Sequence, residues 1–92
     1  MNTELNNEAV PSISQQFRFQ WEEVQKGYVI LYPEGMVKLS GSAGEILRRV
    51  DGKTSIGSII NDLEQQFDGV DLKDDVYKFF EVAMENGWIT LT

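Results

Sequence analysis

The sequence predicts an α+β domain of the winged helix-turn-helix type: three N-terminal antiparallel strands, then a three-helix bundle, then a short C-terminal strand. Two observations carry that reading. From Phe17 to Leu39 the apolar residues alternate with polar ones or run in short β-branched stretches, and from Ser40 onward they recur at helical spacing. Three glycines, Gly52, Gly69 and Gly87, then punctuate the ends of three successive helical stretches.

Each element follows from its residues. Phe17, Phe19 and Trp21 alternate with Arg18 and Gln20, the period of a half-buried strand. Residues 26–32 (KGYVILY) are continuous, β-branched and aromatic, and too short for a helix. Pro33, Glu34 and Gly35 supply a turn, after which Met36, Val37, Lys38 and Leu39 resume the extended pattern, making a β-hairpin. Ser42 and Glu45 have the spacing of a capping box, and Ala43, Ile46, Leu47 and Val50 make one apolar stripe. Thr54 or Ser55 caps the second helix, whose stripe is Ile56, Ile59, Ile60, Leu63 and Phe67. Asp71 caps the third, which runs from Leu72 to Asn86, and Trp88, Ile89, Thr90 and Leu91 read as the closing strand. Residues 1–16 are polar, with isolated apolar side chains and no period. They read as a disordered N-terminal tail, which confines the folded domain to 17–92.

Composition removes several function classes. With no cysteine and no histidine in 92 residues, thiolate metal sites and Ser/His or Cys/His nucleophilic machinery lose their usual parts. The paired carboxylates Glu22, Glu23 and Asp74, Asp75 are sequence neighbours, which point apart on a strand or a helix and make poor acid–base pairs. Asp51, Gly52 and Lys53 lack the glycines of a phosphate loop, and the acidic residues from Asp62 to Asp71 do not fit a calcium-loop spacing. The expectation is a non-enzyme without cofactor or metal. No apolar run approaches the length of a membrane span and the first residues do not resemble a signal peptide, so the default address is the cytoplasm.

A winged helix invites comparison with a DNA-binding regulator, the alternative function. Eight basic against fifteen acidic residues give a net charge of −7, unfavourable for a phosphate backbone. The third helix holds two lysines against four acids, and the one basic pair, Arg48 and Arg49, sits where a helix C-terminus favours cations anyway. The wide apolar arc of the third helix points elsewhere. Leu72, Val76, Phe79, Phe80 and Ala83 cluster on one side, extended by Tyr77 and Met84 in one direction and Val82 in the other, roughly 200° in all against the ~100° a single core face needs. Either this helix is packed on two sides, or part of the arc, around Tyr77, Phe80 and Met84, lines a groove for a partner. An unpaired edge on the strand from Met36 to Leu39 beside that groove would suit peptide capture by strand addition. On this reading Tyr77→Ala weakens binding and leaves the thermal midpoint nearly unchanged.

WEE at 21–23, LYPEGMVKL at 31–39, EILRRVDG at 45–52 and the closing GW at 87–88 resemble the pyrroloquinoline quinone biosynthesis protein D (PqqD) family, from Phe17 to the C-terminus. Ser40 departs from the Asn expected there, and the N-terminal tail is not characteristic. The resemblance implies a non-catalytic peptide chaperone of PQQ biosynthesis. It would bind the ribosomal precursor peptide PqqA and present it to the radical SAM enzyme PqqE, whose partner-held clusters need no ligand from this chain. It also implies a RiPP recognition element, in which a leader peptide lies as an added strand between the third strand and the third helix. Those elements correspond here to Met36, Val37, Lys38 and Leu39, and to Val76, Tyr77, Phe80, Ala83 and Met84.

Overall fold

A computed structural model describes residues 4–92. Its elements are β1 (Pro11–Ile13), β2 (Arg18–Glu22), β3 (Gly27–Tyr32), β4 (Gly35–Lys38), α1 (Gly41–Leu47), α2 (Ile56–Gln66), α3 (Lys73–Glu85) and β5 (Ile89–Leu91). The α+β class, the hairpin strands, the three helices and the closing strand are as expected. Strands β2, β3 and β4 form one antiparallel sheet in that order, while β1 and β5 form a separate two-stranded ribbon.

That ribbon corrects the expected tail. Residues 4–16 are part of the fold, so the domain reaches back well before Phe17; residues 1–3 lie outside the described residues. Pro11 faces Leu91 and Ile13 faces Ile89 in register, and Val10 and Thr92 exchange backbone hydrogen bonds at 2.9 and 3.0 Å. Upstream, the carbonyls of Ala9 and Asn7 accept the N–H groups of Ile56 and Gly57, both at 2.9 Å, satisfying donors that the start of α2 would otherwise leave open. Four of the scattered apolar residues of this segment find places: Ala9 and Pro11 are buried, and Leu5 and Ile13 pack against the core. Their spacing shows no period because the segment crosses several elements in turn. Its long-range hydrogen-bond partners lie 47 to 82 residues away in sequence, beyond any local pattern.

The core gathers Ile30, Leu47, Ile56, Ile59, Leu63, Val76, Phe80 and Ile89. Helix α1 can reach it because Gly44 has no side chain: a Cβ there would lie 2.8 Å from Cδ2 of Tyr28. The α1 cap is Ser40, not Ser42. Ser40 is extended and its hydroxyl accepts from the N–H of Ala43 at 3.2 Å, so the helix begins earlier and the capping box with Glu45 is not formed. The helix also stops at Leu47, short of Val50. Ser55 caps α2. At α3 the cap residue is Leu72, with no side-chain bond of its own. Instead Asp71 accepts from Lys73 N–H at 3.2 Å, and Glu64 reaches across from α2 to the Leu72 N–H at 2.9 Å. Helix α3 ends at Gly87, whose φ of 74° requires left-handed backbone. Gly87 N–H donates to Met84 and Trp88 N–H to Ala83, the paired bonds that turn a chain out of a helix, here directly into β5.

Two outcomes test this packing. A chain beginning at Phe17 should lose at least about 3 kcal/mol of stability, since burying each apolar side chain contributes about 1.5–3 kcal/mol; urea unfolding would show it, and an unchanged midpoint would return the segment to a tail. Gly44→Ala should destabilise despite its gain of ~1 kcal/mol in helix propensity, because overpacking against Tyr28 costs about 1–3 kcal/mol; the same titration measures the net sign.

Candidate peptide-binding edge

Strand β4 ends the three-stranded sheet. Its hydrogen-bond phase follows from two observations. Leu39 donates its N–H to the Tyr28 carbonyl at 3.1 Å, and Val37 stands opposite Ile30 in the β3–β4 register. Inward and outward groups alternate along an antiparallel strand, so Val37, two residues from Leu39, also turns its N–H and C=O toward β3. Met36 and Lys38 therefore direct theirs outward, where among the described residues no backbone partner meets them. Side chains follow the pleat: Val37 and Leu39 pack against the core, while Met36 and Lys38 are exposed on the other face.

The predicted residues of α3 divide into two groups, neither of which is a free groove. Val76, Phe80 and Ala83 are at most 2% exposed and belong to the core, so they shape the domain and do not present a surface. Tyr77 and Met84 lie under the N-terminal segment. The Tyr77 hydroxyl donates to Asn7 Oδ1 at 2.6 Å, and Met84 lines a cleft with residues 12–16 of that segment and with Gly87, Ile89 and Thr90. The wide arc is thus explained largely by packing on two sides, with the segment taken for a tail supplying the second.

The opposite margin of the arc is the less covered one. At ~100° per residue, Leu72, Asp75, Phe79 and Val82 form the flank away from Tyr77. Phe79 packs obliquely on Trp88 with ring centroids 6.4 Å apart, and Val82 is 46% exposed. Toward its start this flank opens into an apolar cleft walled by Ile46, Leu63, Phe67, Leu72, Asp75 and Val76. The arc in the sequence had two margins, and Val82 marked this one. Only the course of residues 5–13 decides which margin is covered.

Both arginines of the basic pair are engaged by acidic side chains. Arg49 bonds Asp62 at 2.6 Å and Glu45 at 3.0 Å, and also contacts Gln66, tying α1 to α2. Arg48 pairs with Glu45 at 3.1 Å. The Arg49 hydrogen bond holds the Glu45 carboxyl below its usual range, and burial opposes it. Arg49 itself would be lowered by burial, but its bonds to Asp62 and Glu45 raise it instead. Arg49 is thus a clamp between α1 and α2 and Arg48 a local pair at the end of α1, not a face for phosphates. Among the described residues no group of three or more carboxylates is placed to hold a metal ion, and no helix is long and apolar enough to cross a membrane.

Residues 27–89 match the family model described as coenzyme PQQ synthesis protein D (PqqD). The chain belongs to the PqqD family. Similar relatives named "PqqA binding protein" include one from Pseudomonas entomophila, 49% identical over 95% of this chain and 97% of its own length. Another, from Azotobacter vinelandii, is 49% identical over 97% and 96%. Among solved structures the chain resembles the solution structure of the PqqD truncation of Methylobacterium extorquens PqqCD, described as a functional, stand-alone RiPP recognition element. The TM-score is 0.68 and the identity 25%, over 98% of this chain and 96% of that one. Matching lengths of this kind mean that the N-terminal segment, expected to be uncharacteristic, lies within the span shared with PqqD relatives.

Tyr77→Phe should cost about 1 kcal/mol through the lost bond to Asn7. Tyr77→Ala should lower the thermal midpoint by more, contrary to the expectation from sequence. A midpoint unmoved by Tyr77→Ala would show that the N-terminal segment does not rest on this side chain.

Proposed function

We propose that this chain is a non-catalytic carrier that binds the precursor peptide PqqA as a strand added to β4 and presents it to the radical SAM enzyme PqqE. The observation that carries the reading is the open edge of β4, with the outward N–H and C=O groups of Met36 and Lys38. Strand addition draws its affinity from such groups and its selectivity from the side chains beside them. Support comes from the relatives named for PqqA binding and from the likeness to a recognition element. In this reading Met36, Val37, Lys38 and Leu39 form the strand side of the site. Phe79 and Val82 take the helix side in place of Tyr77 and Met84, with Val76, Phe80 and Ala83 supporting them from the core.

Adding PqqA should slow amide exchange at Met36 and Lys38 and leave Val37, already bonded to β3, little changed. Lys38→Pro should cut peptide affinity at least tenfold, because proline removes an outward donor and obstructs pairing, while circular dichroism and the thermal midpoint stay near those of the parent. Val37→Pro, by contrast, should unfold the hairpin. Protection gathered on Arg48 and Arg49, with β4 unaffected, would refute the strand assignment.

A further inference from the structure

We infer that Lys38 reads a carboxylate on the bound strand, so that this edge selects an extended segment with Asp or Glu between two inward-facing apolar residues. The inference rests on the strand addition proposed above. An added strand continues the pleat of the sheet, so its side chains alternate in step with those of β4. The ligand residue beside Val37 turns toward the core side. The residue beside Lys38 turns outward with Lys38, at a cross-strand distance where opposite charges attract and like charges repel.

Three of the eight basic residues are held in ion pairs, and Lys38, the basic residue of β4, is not among them. Lys26 pairs with Glu23, Arg48 and Arg49 pair with Glu45, and Arg49 also holds Asp62. Lys73 lies 5.9 Å from the centre of the Tyr77 ring. Lys38 makes no ion pair among the described residues. Its in-register neighbours across the sheet are Val29 and, beyond it, Gln20, neither of which offers a carboxylate. It lines a cleft of about 330 Å³ at the Leu39 end of the strand, with Trp21, Tyr28, Lys26, Ser40 and Glu45 among the other walls. Glu45 is the acidic wall of that cleft, and its carboxylate is held by the two arginines. The local field at the edge is therefore set by an ammonium group within a chain of net charge −7. A lysine on an open edge discourages strands that bring nothing to meet it, and the same charge favours a strand that brings an acid.

The test is a charge-reversal cycle on the intact chain. Wild type, Lys38→Met and Lys38→Glu are titrated with PqqA and with its single Asp/Glu→Lys variants, with exchange at the Met36 and residue-38 amides recorded in each mixture. An exposed pair of this kind predicts a loss of about 3- to 10-fold on reversing Lys38, diminished at high salt. One acidic position of the peptide should stand out: its lysine variant binds wild type weakly and is restored on Lys38→Glu. If no acidic position couples to Lys38 while Met36 is still protected, the carboxylate reading falls and strand addition stands. If Met36 is unprotected with wild type, both fall. Because Lys38 is exposed, the thermal midpoints of the variants should match, which keeps binding losses separate from unfolding.

Discussion

The backbone pairing between residues 10–13 and 89–92 joins the two ends of the chain, and much else in the domain is arranged around it. Through this ribbon the N-terminal segment is drawn over Tyr77 and onto the start of α2, where Asn7 and Ala9 supply the acceptors that no local side chain provides. It carries Pro11 and Ala9 into burial and shields one flank of α3. Small domains bury a modest fraction of their surface and have little stability in reserve. Thirteen residues of additional folded chain change that balance, and they also determine which side of the third helix is left for anything else.

The phase of the β3–β4 ladder governs the other half of the site. One hydrogen bond, from Leu39 to Tyr28, sets the parity of the strand, and parity decides that Met36 and Lys38 face outward. A shift of one residue would exchange the roles of every side chain on the strand, placing Val37 and Leu39 in solvent and Lys38 against Ile30. The core therefore holds the edge in register. Gly44 contributes to this indirectly, since the seating of α1 on Tyr28 depends on its missing side chain, and Tyr28 is the residue that accepts from Leu39.

Periodicity revealed what depends on neighbours in sequence: the strand alternation of β2, the helical stripes, and the glycine that turns α3 into β5. It left unread what depends on distant partners. Nothing between Met1 and Gln16 signals a strand, because β1 is three residues long and its partner is β5. The cap at Ser40 was missed because Ser42 satisfies the same motif, and only the backbone conformation of Ser40 distinguishes them. The open edge of β4, the strand half of the arrangement, was legible, since an edge follows from strand order and Lys38 is its exposed charge. The helix half was not. Tyr77 and Val82 mark opposite margins of one arc, and choosing between them requires the path of a segment whose composition resembles a tail.

An open edge is a hazard as well as a tool, since it pairs with any extended chain. The edge here is limited in three ways: β4 is four residues long, its outer face ends in a charged side chain, and the whole chain carries a charge of −7 that opposes edge-to-edge pairing between copies. The first limits affinity, because few backbone hydrogen bonds are on offer. The second and third act together on selection. Long-range repulsion from the acidic surface disfavours acidic ligands in general, while Lys38 favours a carboxylate at one position only. A segment with a single well-placed acid and otherwise apolar or neutral residues satisfies both conditions. Placement of charge along an extended segment, and not its total, is then what this edge distinguishes.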